Sequence, residues 1–153
     1  MCSLDDVHGH LDHERHVSSS FQGPCALILG QPPSNTSAYF NRGTVYYLTG
    51  DNDHAIENYD KVLTLTPHFP LAYLSRGKAY LNKQDYDRAI ADLTQALALN
   101  PNLSEAYSNR ALAWFRTKEY DKAWADMQRY RQAGGRPDPK FIDELRQASG
   151  RQE

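Results

Sequence analysis

The chain has 153 residues and a formal net charge of -2, with 40% apolar and 24% charged residues, the balance of a single folded domain. That balance lacks the basic excess that nucleic acid or an anionic membrane requires, and apolar runs such as Cys25 to Leu29 fall far short of the roughly 20 residues that cross a bilayer. Cys2 and Cys25 are the only cysteines, so no disulfide framework is expected and the expected location is cytoplasmic.

Residues 1–35 read as a flexible extension. Its imidazoles His8, His10, His13 and His16 have spacings that allow ligands to share a helix face and bind zinc, copper or nickel. No surrounding sequence buries or orients them, so a plain extension is the expectation and a metal-responsive protein the weaker alternative. The stretch ahead of Cys25 is acidic and rich in histidine where a signal peptide needs a basic start, and Gly23-Pro24 interrupts it. Gln31-Pro32-Pro33-Ser34-Asn35 is a break that no helix crosses, with Asn35 or Thr36 as the cap of the first repeat's opening helix.

From Thr36 to about Arg136 the chain repeats itself. A shift of 34 residues brings together Gly43, Gly77 and Ala111; Tyr39, Tyr73 and Tyr107; Tyr46, Tyr80 and Trp114; Ala55, Ala89 and Ala123; and Pro67 with Pro101. The pattern resembles the tetratricopeptide repeat (TPR), a helix-turn-helix unit of this period. The resemblance implies an all-α fold, a right-handed superhelix of antiparallel helix pairs. It places repeats at about 36–69, 70–103 and 104–137 in a domain spanning 36–149, with a tail at 150–153.

The residue types then acquire mechanical roles. Gly43, Gly77 and Ala111 are expected to face Ala55, Ala89 and Ala123, because only small side chains let two helices approach closely. Tyr39, Tyr46 and Tyr59, and in the next copy Tyr73, Tyr80 and Leu93, fill the space around that contact. Asp53, Asp87 and Asp121 are expected to cap the second helices, and Pro67 and Pro101 to stop them. After the third copy, Gly134-Gly135 ends a helix and Asp138-Pro139 starts another at about 139–148, with Phe141, Ile142 and Leu145 on one face. This is the cap expected at the end of a solenoid. The opposite end has no such cover in the repeats, so Phe21 to Leu29 is expected to fold over it or to lie in a neighbouring chain.

In TPR stacks the first helices line a concave groove that takes another protein or peptide. Helical spacing around the small residue assigns Ser37, Phe40, Asn41, Thr44, Tyr47 and Leu48 to it from the first copy. Leu71, Leu74, Ser75, Lys78, Leu81 and Asn82 come from the second, and Glu105, Ser108, Asn109, Leu112, Phe115 and Arg116 from the third. Asn41, Ser75 and Asn109 stand one repeat apart. Either they pair with the main chain of an extended peptide, as in the asparagine ladder of some TPR superhelices, or each bonds a neighbouring helix end.

TPR domains that clamp the C-terminal carboxylates of heat-shock chaperones carry Lys and Asn in the first copy, Asn in the second, and Lys and Arg in the third. Here Phe40 and Thr44, Ser75, and Glu105 and Asn109 occupy those places, so such tails are not expected partners. Arg42, Arg76 and Arg110 recur beside the small residue, opposite Asn58, Asp92 and Asp126, and are expected to pair with them as structural joints.

No catalytic motif is present. Asp51-Asn52-Asp53 lacks the glycine of a calcium loop and has Val62 where the bidentate Glu belongs. Gly134-Gly135 follows a helix, the wrong order for a phosphate cradle. The sequence therefore points to a non-enzymatic adaptor or scaffold with no cofactor, binding a peptide or helix of another protein and neither nucleic acid nor membrane. The alternative is a module that assembles with itself as a homo-oligomer through its first repeat.

Overall fold

The Asn35 side chain accepts a hydrogen bond from the Ala38 amide at 2.8 Å and so starts helix α1 (Thr36–Leu48). The computed structural model describes residues 35–151, in which α2 (Asn52–Leu65), α3 (Pro70–Asn82), α4 (Tyr86–Leu99), α5 (Ser104–Arg116), α6 (Tyr120–Gln132) and α7 (Pro139–Ser149) come after it. No strand occurs among the described residues. The extension before Asn35, with His8, His10, His13, His16, both cysteines and the Phe21 to Leu29 cover, lies outside them.

Each odd helix packs on the even helix after it, and α3 also touches α1 and α5. The chain is thus an all-α solenoid of paired helices, with α1, α3 and α5 in one layer and α2, α4 and α6 in the other. Between the helices of a pair the backbone turns through one left-handed residue: Gly50 (φ 84°), Gln84 (φ 60°) and Lys118 (φ 65°). The next amide, of Asp51, Asp85 or Glu119, reaches back to the carbonyl of Tyr46, Tyr80 or Trp114 at 2.8 to 2.9 Å, which closes the helix end.

The carboxylates that start the second helices lie two residues earlier than expected. Asp51 accepts from the His54 amide and Asp85 from the Arg88 amide, while Glu119 makes no such bond to α6. Asp53, Asp87 and Asp121 fall instead in the first turn, near the positive end of the helix dipole. The reason is the length of the turn. A single left-handed residue leaves only the next one with the non-helical backbone that lets its side chain fold back on the amides.

The same three cap residues belong to a second periodic device. His54, Arg88 and Lys122 pair with Asp51, Asp85 and Glu119 three residues before them. Each also lies over an aromatic ring of the preceding helix: His54 stacks on Tyr46 at 5.0 Å, Arg88 covers Tyr80 at 4.6 Å and Lys122 covers Trp114 at 4.4 Å.

The close approach of each helix pair also differs in detail from the expectation. A Cβ on Gly77 would stand 2.9 Å from Leu93 Cγ, and one on Gly43 would stand 2.9 Å from Tyr59 Cε1. The small residue therefore meets the large side chain one turn beyond the buried alanine, with the Ala89 carbonyl oxygen 3.4 Å from the same Gly77 position. Tyr59 and Leu93 are at most 1% exposed, a burial that contributes about 2 kcal/mol each.

The recurrent arginines are structural, as their spacing suggested. Arg76 holds Asp92 through Nε and an Nη, both at 2.7 Å, and Arg110 holds Asp126 in the same way at 2.8 and 2.7 Å. Their remaining Nη reaches the preceding pair, to Asp60 from Arg76 and to Thr94 from Arg110. Each guanidinium thus ties three helices together. Burial works against the Arg76 charge, but the hydrogen bonds and charges of Asp92 and Asp60 outweigh it and hold the group above its ordinary range. In the first copy Arg42 Nε donates to the neutral Asn58 Oδ1 at 2.7 Å.

Candidate functional site

Because α1, α3 and α5 form one layer, residues at equivalent places on them lie side by side. Of the groove residues expected from the sequence, Asn41 and Arg116 are exposed, and Phe40, Thr44, Tyr47, Ser75, Lys78, Leu81, Asn109, Leu112 and Phe115 are half-buried. Leu74 is the exception. It is 5% exposed and packs with Tyr80, Leu93 and Leu97 in the core, because α3 is covered on both sides where a two-helix reading left Leu74 on the open face.

Many of the polar groups on this face are already engaged. The Thr44 hydroxyl donates to the Phe40 carbonyl at 2.9 Å and accepts from the Tyr59 hydroxyl at 3.4 Å. The Lys78 ammonium binds Glu105 Oε1 at 2.5 Å and lies 5.4 Å from the Tyr47 ring centre, so it bridges α1, α3 and α5. Burial opposes its charge, and the Glu105 hydrogen bond and carboxylate overcome that and raise its pKa. Asn109 Nδ2 donates to the Glu105 carbonyl of its own helix at 2.8 Å, neither a bond to a neighbouring helix end nor a free donor pair. Its Oδ1 and second amide proton take no part in that bond.

The depth of the face is uneven. A cavity of about 520 Å³ opens between Ser108, Asn109 and Leu112 of α5, Met127 and Tyr130 of α6, and Lys140, Phe141 and Glu144 of α7. Arg136, Pro137 and Asp138 of the α6–α7 link complete its wall. A second cavity, of about 330 Å³, lies on the other side of Leu112, against Leu81, Asn82 and Arg116. Met127, Tyr130, Arg136, Lys140, Phe141 and Glu144 are absent from the groove read off the repeat pattern. The signal for them was the Gly134-Gly135 and Asp138-Pro139 pair, which brings α7 back against α6. Gly135 is essential to that path, since a Cβ there would stand 2.1 Å from the Tyr130 ring. Phe141 meets Phe115 edge-on at 5.4 Å, so α7 takes the place that a fourth first helix would occupy.

No helix among the described residues is long and apolar enough to cross a membrane. Among the same residues no group of His, Cys, Asp or Glu is arranged to hold a metal ion.

A TPR repeat family model matches residues 43–84, and a tetratricopeptide repeat model matches residues 74–137. No match was found among curated proteins. The chain is similar to the solved first TPR of Spaghetti (RPAP3) bound to HSP90 peptide SRMEEVD. The TM-score is 0.68 and the identity 28%, over 75% of this chain and 90% of that one. It is also similar to the Arabidopsis OM64 TPR domain, with a TM-score of 0.70 and 20% identity over 73% and 94% of the two chains. The Sgt2 TPR domain from Aspergillus fumigatus gives a TM-score of 0.67 and 22% identity over 78% and 80%. The expectation set against heat-shock chaperone tails is not borne out, since the first of these similar domains holds an HSP90 peptide. The five clamp positions test only one way of gripping a carboxylate. The helix pairs, their 34-residue period and these matches agree: the chain belongs to the tetratricopeptide repeat family, whose members mediate protein–protein interaction.

Proposed function

We propose that the chain is a non-catalytic adaptor whose α1, α3 and α5 face holds an extended segment of another protein. The observation that carries this reading is the row Asn41, Ser75 and Asn109 beside a half-buried floor of Phe40, Tyr47, Leu81, Leu112 and Phe115. Such a floor takes apolar side chains, while amide and hydroxyl groups at a fixed interval serve a peptide main chain whatever its sequence. The peptide held by the similar RPAP3 domain supports a peptide ligand and supplies the first probe.

Fluorescence polarisation with labelled SRMEEVD and with unrelated extended peptides tests it. The Asn41→Ala, Asn109→Ala double variant should keep its helical circular dichroism and lose about tenfold in affinity, the equivalent of one or two peptide hydrogen bonds. Unchanged affinity in the folded variant rejects the groove.

A second reading, self-assembly through α1, is favoured by one observation. Val45 is 43% exposed although its equivalents Ala79 and Ala113 are fully buried, and Leu48 beside it is 76% exposed. Light scattering over a concentration series decides: a constant mass removes this reading.

A further inference from the structure

We propose that the edge formed by the turns within the helix pairs holds a docking place for a basic side chain of a partner protein, between the start of α4 and the end of α5. Along this edge each second helix is tied to the end of the first helix that follows it. Lys83, just past α3, binds Asp53 in the first turn of α2, and Arg151, past the end of α7, binds Asp121 in the first turn of α6 at 2.7 Å. The 34-residue shift that relates the repeats carries Asp53 to Asp87 and then to Asp121, and Lys83 to Thr117 and then to Arg151. The middle rung therefore has its carboxylate and lacks its cation.

A cavity of about 310 Å³ lies at that rung, lined by both of its members, Asp87 and Thr117, together with Lys83, Gln84, Asp85 and Tyr86. Thr117 does not answer the carboxylate, because its hydroxyl donates to the Ala113 and Trp114 carbonyls of its own helix at 3.3 and 3.1 Å. The charged groups beside Asp87 are taken as well. Asp53 holds Lys83, and Asp85 accepts from Arg88 Nε at 2.6 Å and from the Arg88 amide at 3.2 Å. Lys118 follows Thr117 in the chain but stays outside the cavity wall. The Asp87 carboxylate has neither a hydrogen-bond nor an ion-pair partner among the described residues.

One free carboxylate is a poor metal site, which needs several oxygen ligands at once, but it suits a single ammonium or guanidinium. Lys83 offsets only one of the two carboxylates in the wall, so the cavity keeps a negative charge that draws such a group in. The half-buried Tyr86 gives the aliphatic stem of a lysine or arginine an apolar surface to lie along. The rungs on either side show that both residue types fit, one being filled by lysine and the other by arginine. An exposed pair of this kind adds a few-fold in affinity, enough to favour one partner over another. The site is separate from the concave face and does not depend on that face holding a peptide.

Arginine amide, lysine amide and the uncharged citrulline amide, titrated at low salt into the isotope-labelled full chain and followed by NMR, test it. The two cationic probes should shift the Tyr86, Asp87 and Thr117 amide signals saturably and bind about fivefold tighter than citrulline amide, a margin that shrinks as salt rises. Asp53 and Asp121, whose rungs are filled, should respond more weakly than Asp87. Asp87→Asn should remove the margin, and Thr117→Arg, which supplies the missing cation from within the chain, should remove it too. An equal response at Asp53, Asp87 and Asp121 reports adventitious surface binding and overturns the proposal. So does a cation preference that survives Asp87→Asn in a variant with native circular dichroism, or the absence of any shift at the middle rung.

Discussion

The first repeat and the two after it share one backbone plan but differ in how they are charged and covered. Where the second and third set Asp92 and Asp126 against their arginines, the first has the neutral Asn58. Where they place Arg88 and Lys122 over an aromatic ring, the first has His54, whose charge depends on pH. Where they bury Ala79 and Ala113 against the preceding pair, the first presents Val45 and Leu48 to solvent. The later repeats therefore set a carboxylate against the arginine and a strong cation over the ring, where the first sets a neutral amide and a titratable imidazole. A repeat position is defined by what lies next to it, and the first unit has a neighbour on one side only within the described residues.

The most severe way to probe this difference is to place a charge at the equivalent positions. Ala79→Asp buries an uncompensated carboxylate and should cost about 4 kcal/mol in urea denaturation, whereas Val45→Asp should cost about 0.5 kcal/mol or less. Comparable losses would mean that the α1 face is covered after all.

The arginine joints come next. Arg76→Leu strands the buried Asp92 and should cost about 3 kcal/mol, while Asn58→Ala removes a neutral acceptor from the first joint and should cost about 1 kcal/mol. Equal values would remove charge as the distinguishing feature of the later joints.

Packing at the small residue gives an intermediate effect. Gly77→Ala puts a methyl group against Leu93 and should destabilise by about 2 kcal/mol in spite of its better helix propensity, whereas Ala111 already occupies the same place in the third repeat. A gain in melting temperature for Gly77→Ala would show that Leu93 yields.

The smallest effect is a matter of pH. The Asp51 hydrogen bond, with help from its charge, raises His54 above the ordinary histidine value, and the same contact lowers Asp51. A raised histidine contributes stability that is fully present below its unfolded value, about 6.5, and is lost as pH rises through the folded value. The lowered Asp51 contributes above its unfolded value, about 3.9, and that part is lost as pH falls through its folded value. The cap of α2 is therefore strongest between those limits. An NMR titration of the imidazole should give a raised pKa that falls back in Asp51→Asn. No fall would detach the histidine from the cap. Arg88, at the equivalent place in the second repeat, stays charged over that range.

The comparison also shows how far the sequence could be read. Tyr39, Tyr73 and Tyr107 recur because every repeat solves the same packing problem, so the period and the helix pairs were legible from side-chain size alone. The arginine joints were legible too, since a charge recurring opposite another charge has few alternatives. Leu74 was not, because its burial depends on α3 being flanked by both α1 and α5. The cap carboxylates were displaced by two residues because each turn passes through a single left-handed residue, Gly50, Gln84 or Lys118, and the helix starts right after the next one.

By itself, then, the sequence determined the kind of unit, its number and the residues that must be small or paired, because these arise from local spacing and from contacts repeated at a fixed interval. Only the tertiary structure decided where the concave face is deep. The cavity beside Leu112 is built from α5, α6 and the non-repeating α7, whose return depends on Gly135 lying against Tyr130. Periodicity records what each repeat does for its neighbour. It carries no information about the one place where the repetition stops and a different helix closes the stack.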